Sequence, residues 1–145
     1  MTTPDASLFL RRSLMANAMF SGVSGLVFVI AAGPIARNIG LDEPTSLVIV
    51  GGSLLLFALG LAHNARRTVV NLVETRVAIA MDGLWVVGSA VLFFASLLNT
   101  TGNWAAAILA DFVLAFAICQ FIGLRRIERG RHIDEPGERF TSQPG

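Results

Sequence analysis

Residues 77–98 read VAIAMDGLWVVGSAVLFFASLL, a run with a single charge, Asp82. A helix rises about 1.5 Å per residue and the hydrocarbon core of a bilayer is about 30 Å thick, so about 20 apolar residues in a row make a membrane-spanning helix. A strand of a membrane barrel would alternate polar and apolar residues, and this stretch does not. Working outward, three more runs of the same kind lie at about 14–36, 46–62 and 104–124. The expectation is an all-α fold, a four-helix transmembrane bundle over 14–126. Residues 1–13 would be a cytoplasmic N-terminus, and 127–145 a cytoplasmic tail, solvated and disordered from about His132.

Composition supports one such domain in 145 residues. Apolar residues make up 54% and charged residues 14%, with a mean hydropathy of +0.67. A soluble domain carries about 25% charged residues, so this chain lacks the polar surface to stay dissolved. A lone Cys119 excludes an intramolecular disulfide and a cysteine metal cluster. His63 and His132 are too few and too far apart for a metal or haem site. No metal, cofactor or nucleic-acid partner is expected, and no nucleophile–base constellation points to an enzyme.

Turn chemistry separates the runs. Gly33–Pro34 and GLDEP over 40–44 end the first helix, with Thr45 or Ser46 placed to cap the second. NTTGN over 99–103 makes a tight turn in which Asn103 can cap the fourth helix. Its glycosylation pattern sits too close to the membrane to be used. Val69, Val70, Leu72 and Val73 make the linker from His63 to Arg76 a two-turn extension of the third helix along the membrane surface. The first run, about 23 residues, exceeds the 7–15 of a signal peptide's apolar region, so it is expected to be retained.

Orientation follows arginine placement. Arg11 and Arg12 precede the first span, Arg66, Arg67 and Arg76 lie between the second and third, and Arg125, Arg126, Arg129, Arg131 and Arg139 follow the fourth. Only Arg37 lies on the other side, which puts both termini in the cytoplasm. The absence of lysine, with abundant Ala and Gly, points to a GC-rich bacterial source and hence to the inner membrane. A weak repeat aligns Asn17 with Asp82 and Arg66–Arg67 with Arg125–Arg126, as two parallel hairpins would.

Polar residues inside the spans carry the functional information. An ionised Asp at a span's centre costs about 2.5–3.5 kcal/mol. Asp82, about 9 Å inside its helix end, should therefore face the bundle. It shares a stripe with Ala78, Trp85, Ser89 and Ser96, and the first helix carries a matching stripe of Asn17, Ser21, Ser24 and Phe28. Asn17 and Asp82 lie at similar depth and can hydrogen-bond. This is either a structural polar clamp or a proton- or ligand-binding site. Asp111 and Gln120 are nine positions apart and point in opposite directions. One of them faces lipid, a partner or a vestibule, which argues for a homo-oligomer or a membrane partner subunit. Ser53, Gly60 and Asn64 share a face of the second helix, with Gly52 nearby, a small-residue stripe for close helix contact. Trp104 marks the outer interface, Trp85 should be buried with its N–H on a carbonyl, and Cys119 is a packing residue. Arg125, Arg126, Arg129 and Arg131 can hold anionic lipid headgroups of the bilayer at about 1 kcal/mol each.

NAMFSGVSG over 17–25 with DGLWVVGS over 82–89 resembles small uncharacterised four-helix bacterial membrane proteins. The architecture is also similar to small multidrug-resistance transporters and to DoxX-like proteins. The former family implies a dimer around a carboxylate in the first helix, where this chain has Asn17. Two functional classes follow. The first is a non-enzymatic accessory subunit or scaffold stabilised by polar clamps. The alternative is a small dimeric proton-coupled transporter using Asp82.

Overall fold

The computed structural model describes residues 4–95 and 97–133, with side chains for 5–95 and 97–130. Five helices follow one another: α1 Pro4–Ile30, α2 Ala32–Ile39, α3 Thr45–Arg66, α4 Leu72–Phe94 and α5 Thr100–Ile133. Four of them are long and apolar enough to cross a membrane, with mean hydropathies of 1.7 to 2.2, as a multi-pass membrane protein requires. Ser96, the Arg131 side chain and the tail from 134 onward lie outside the described residues.

The helices overrun the apolar runs at the arginine-rich end. α1 begins at Pro4, not near Leu14, α3 reaches Arg66, and α5 continues through Ile133. Residues 127–133 are thus helical, because the amphipathic pattern outlasts the hydrophobic one and Leu124 and Ile127 stay buried. At the opposite end the expected single helix over 14–36 is broken. Pro34 has no N–H for the carbonyl of Ile30 and its ring crowds that position, so the backbone departs from helix at Ala31 (φ −105°, ψ 22°). The chain then resumes as α2, which ends at Gly40 in the left-handed region (φ 81°) with Leu41 N–H bonded to Ala36 O.

Caps differ from the sequence reading in an instructive way. Thr45 and Ser46 do not cap α3, which starts behind Pro44 without a side-chain cap. Asn99, not Asn103, caps α5: its Oδ1 accepts from Gly102 N–H at 2.9 Å. Its Nδ2 also donates to Asn38 O at 2.8 Å, stitching the end of α2 to the α4–α5 turn. The linker is not a continuous extension of the next helix. Asn71 caps α4 by accepting from Val73 and Glu74 N–H, its side-chain Nδ2 donates to Glu74 Oε1 at 3.0 Å, and its backbone N–H is taken up by Asn64 Oδ1.

Three sides of the bundle are closed. α1 packs along α3, α5 packs along α1, and α4 packs along α5. α1 and α4 therefore stand across the diagonal, and the α3–α4 side is sparsely packed. The α1–α3 contact depends on missing side chains. A Cβ built on Gly25 would lie 2.7 Å from Gly51 O, and one on Gly51 would lie 2.7 Å from Gly25 O. The close contact of α3 thus runs through Gly51, nearly opposite the expected face of Ser53, Gly60 and Asn64; Gly52 and Gly60 face open space. Phe20 fills the α1–α5 side, its ring centroid 5.4 Å from Phe112 and 5.6 Å from Phe116. At the arginine-rich end, Arg11 donates to Ala65 O at 2.7 Å and Thr68 O at 2.6 Å, covering the C-terminus of α3. An Arg76–Glu128 pair at 2.6 Å joins α4 to α5.

This packing predicts that Gly51→Ala lowers the melting temperature in detergent, since its methyl meets the Gly25 backbone. Gly52→Ala should leave it unchanged or raise it slightly through helix propensity. Equal melting of both variants would refute the assigned α1–α3 register.

Candidate functional site

The α4 stripe of Thr75, Ala78, Asp82 and Ser89 is buried, and its spacing of three and four residues keeps all of them on one helix face. α1 presents Asn17 and Ser21 from the opposite corner of the bundle, and α5 presents Gln120 from the side. Asn17 Nδ2 donates to Asp82 Oδ2 at 2.8 Å. Gln120 Nε2 donates to the same oxygen at 3.3 Å. Ser21 Oγ donates to Asn17 Oδ1 at 3.2 Å, fixing the amide that faces Asp82. Asn17 and Gln120 are fully buried and Asp82 is 3% exposed. Three helices thus meet on one carboxylate oxygen, and the α1–α4 diagonal is bridged by side chains alone.

The hydrogen bond expected between Asn17 and Asp82 is present. The participation of Gln120 was not anticipated, although its depth was a usable signal: it lies five residues from Arg125, as Asp82 lies six from Arg76. Gln120 Oε1 has no partner. Trp85 is half-buried, not fully buried, and its Nε1–H bonds no carbonyl; it is buried without a partner. Ser89 is buried about two turns beyond Asp82, on the wall of the next cavity along the helix.

Beside Asp82 lies a cavity of about 290 Å³ lined by Ser53 and Phe57 of α3, Met81, Asp82 and Trp85 of α4, and floored by Ser21. A cavity of about 290 Å³ continues from Phe57 and Met81 toward Asn64 and Glu74. Another of about 370 Å³ continues from Val50 and Trp85 toward Leu98. The last is walled also by Phe28 of α1, Ile39 of α2 and Ala105 of α5, whereas the first two share Phe57 and Met81 and form a cleft along the loose α3–α4 side. It is pinned at the arginine-rich end by Asn64, whose Nδ2 donates to Thr75 Oγ1 at 3.2 Å and whose Oδ1 accepts from Asn71 N–H at 2.8 Å.

The remaining candidates lie outside this cluster. Asp111 is exposed on the outer surface of α5, while Gln120, half a helical turn around, is buried. Arg125, Arg126 and Arg129 are exposed around a surface depression at the end of α5. The Arg125 guanidinium lies 5.0 Å over the Phe121 ring and that of Arg126 5.3 Å over Phe9, so both charged heads rest on aromatic faces. Cys119 is half-buried on α5. Among the described residues no three His, Cys, Asp or Glu side chains converge as metal ligands would. Chemically, the cluster is a carboxylate held by two amides beside an apolar cleft. No protein-family model, curated protein or solved structure matches the chain, so its own geometry carries the functional reading.

Replacing Asp82 separates its roles. Asp82→Asn keeps an oxygen that can accept from Asn17 and Gln120 and should melt close to the parent. Asp82→Leu strands both amides in an apolar interior and should cost about 1–2 kcal/mol, read as a lowered melting temperature in detergent. Equal melting of the two variants would show that the bonds do not hold the bundle.

Proposed function

We propose that this chain is a non-enzymatic protein of a bacterial inner membrane, with both termini in the cytoplasm, acting as an accessory subunit or scaffold. The observation that carries this reading is the division of α5 into two polar faces. Gln120 serves the internal clamp, whereas Asp111 stands exposed on the outer face within the span. A carboxylate facing lipid is unfavourable, and a partner helix bearing a donor at that depth would relieve it. The arginine end of α5 offers headgroup contacts that hold the bundle in register with the lipid surface.

Two further observations bear on this reading. α1–α3 and α4–α5 are the tightly packed hairpins, and the residues aligned by the internal repeat, Asn17 and Asp82, meet at the centre. Both support two parallel repeats about an axis near the membrane normal. The proton-coupled transporter reading is favoured by one feature, the placement of Asp82 on a cavity wall. Under it, Asp82→Asn would abolish transport while leaving the fold intact, because an amide cannot exchange a proton.

Two measurements test the proposal. Cysteines introduced at Thr100 or Thr101 in a Cys119→Ser background should react with impermeant reagents outside intact cells, and cysteines in the 134–145 tail should not; labelling of the tail would reverse the orientation. Cysteines at Ile108 and Ile118, on the face of Asp111, should cross-link to a neighbouring membrane helix, and Asp111→Leu should weaken that cross-link severalfold. An unchanged cross-link, or none, would remove Asp111 from any interface.

A further inference from the structure

The arginines at one end of the bundle divide into those with partners in the chain and those without. Arg11 donates to Ala65 O and Thr68 O, Arg67 pairs with Glu74 and bonds His63, and Arg76 pairs with Glu128. Among the described residues, Arg125, Arg126 and Arg129 have neither an ion pair nor a hydrogen bond. All three are exposed around one depression of about 410 Å³, whose other walls are Phe121 and Ile122. At 100° per residue these side chains cover a continuous arc of about 140° on α5. Glu128, the one acid on this stretch, falls outside the arc and is held by Arg76. The charged heads are spread apart. Arg125 rests on Phe121 of its own helix and Arg126 on Phe9 of α1, while Arg129 lies a further turn, about 6 Å, along the axis from Arg125.

We propose that this patch binds one anionic phospholipid whose headgroup carries two phosphates joined by a short polyol bridge, as in diphosphatidylglycerol. The inference rests on the headgroup contacts assigned above to the arginine end of α5, and names the lipid that makes them. A guanidinium fork matches a phosphate in shape and charge. Three such forks without a counter-charge, spread over a helical turn, exceed what a single monoanionic phosphate answers. Two separate lipids could supply two phosphates, but each would lose its own freedom on binding. A bridged pair loses it once, so the second phosphate binds as an intramolecular contact. Arg125 and Arg126 are already held on their rings, which lowers the ordering cost further. The apolar side of the patch selects a lipid over other polyanions. Phe121 and Ile122 are 45% and 40% exposed and lie within the apolar span Thr100–Gly130, so acyl chains continue along α5 where the phosphates end. A nucleic acid or a phosphopeptide has no counterpart for that surface.

The test reconstitutes the full chain in phosphatidylcholine nanodiscs doped with phosphatidylglycerol or diphosphatidylglycerol at equal phosphate content. Native mass spectrometry then reads the lipid retained per chain. Diphosphatidylglycerol should be retained about fivefold more per phosphate than phosphatidylglycerol. Arg125→Gln and Arg129→Gln should each lower its retention about fivefold. Arg129→Lys, which keeps the charge without the fork, should fall between parent and Arg129→Gln. Arg66→Gln removes an exposed arginine of the same end from α3, across the bundle from α5, and should leave retention unchanged. Melting in detergent should match the parent for all four variants, since each side chain is exposed. Equal retention of the two lipids per phosphate would overturn the diphosphate assignment and leave the headgroup reading standing. Retention of neither above phosphatidylcholine would remove both. A loss in Arg66→Gln equal to that in Arg129→Gln would overturn the patch in favour of overall charge. Displacement of the lipid by millimolar inorganic phosphate would overturn the lipid assignment in favour of a free phosphate.

Discussion

An ionisable carboxylate inside hydrocarbon must be answered by donors from the protein, because lipid supplies none. Asp82 meets that constraint across the longest dimension of the bundle cross-section. Asn17 reaches it from the diagonal helix and Gln120 from the side, so one oxygen ties α1, α4 and α5 together. Backbone packing cannot make that diagonal connection, since α1 and α4 are not neighbours. Interhelical hydrogen bonds in membranes are individually modest, about 0.6 kcal/mol on average. Their effect here lies in direction: rotating α1, α4 or α5 about its own axis moves an amide or the carboxylate into an apolar wall.

With that rotation fixed, van der Waals contact sets the distances. Association of helices in a bilayer gains little from the hydrophobic effect and relies on close approach. Gly25 against Gly51 brings the α1 and α3 backbones together, and Phe20 against Phe112 and Phe116 holds α5 at aromatic spacing. No equivalent device joins α3 to α4 along their length. Those helices are fastened at one end by Asn64, Asn71 and Thr75, and the cleft is the geometric consequence.

Polar groups in this chain thus fall into three sets with different physics. The Asp82 cluster is internal, with one carboxylate oxygen held by two amides and Gln120 Oε1 left over. Arginines at one end place their guanidinium heads on aromatic rings or backbone carbonyls near the bundle's end. Asp111 and the Trp85 N–H belong to neither set, being polar groups in apolar surroundings for which this chain supplies no partner. The accessory-subunit reading rests on the first of these, which stands on the outer surface.

Hydropathy by itself determined the four long apolar helices and their approximate places, because crossing a bilayer is a matter of length and apolarity along one dimension. Helical periodicity also put Asn17, Ser21, Asp82 and Ser89 on inward faces and set Asp111 opposite Gln120. Periodicity fixes angles within one helix but says nothing of how two helices rotate against each other. Only the tertiary structure therefore decided that Gln120 shares the Asp82 oxygen, and that the close contact runs through Gly51, on nearly the opposite side of α3 from Ser53 and Gly60. The stitching of Asn99 to Asn38 and the burial of Trp85 Nε1 without a partner were settled in the same way. Each depends on which groups from distant parts of the chain come within about 3 Å of one another, and no local pattern in the sequence encodes that distance.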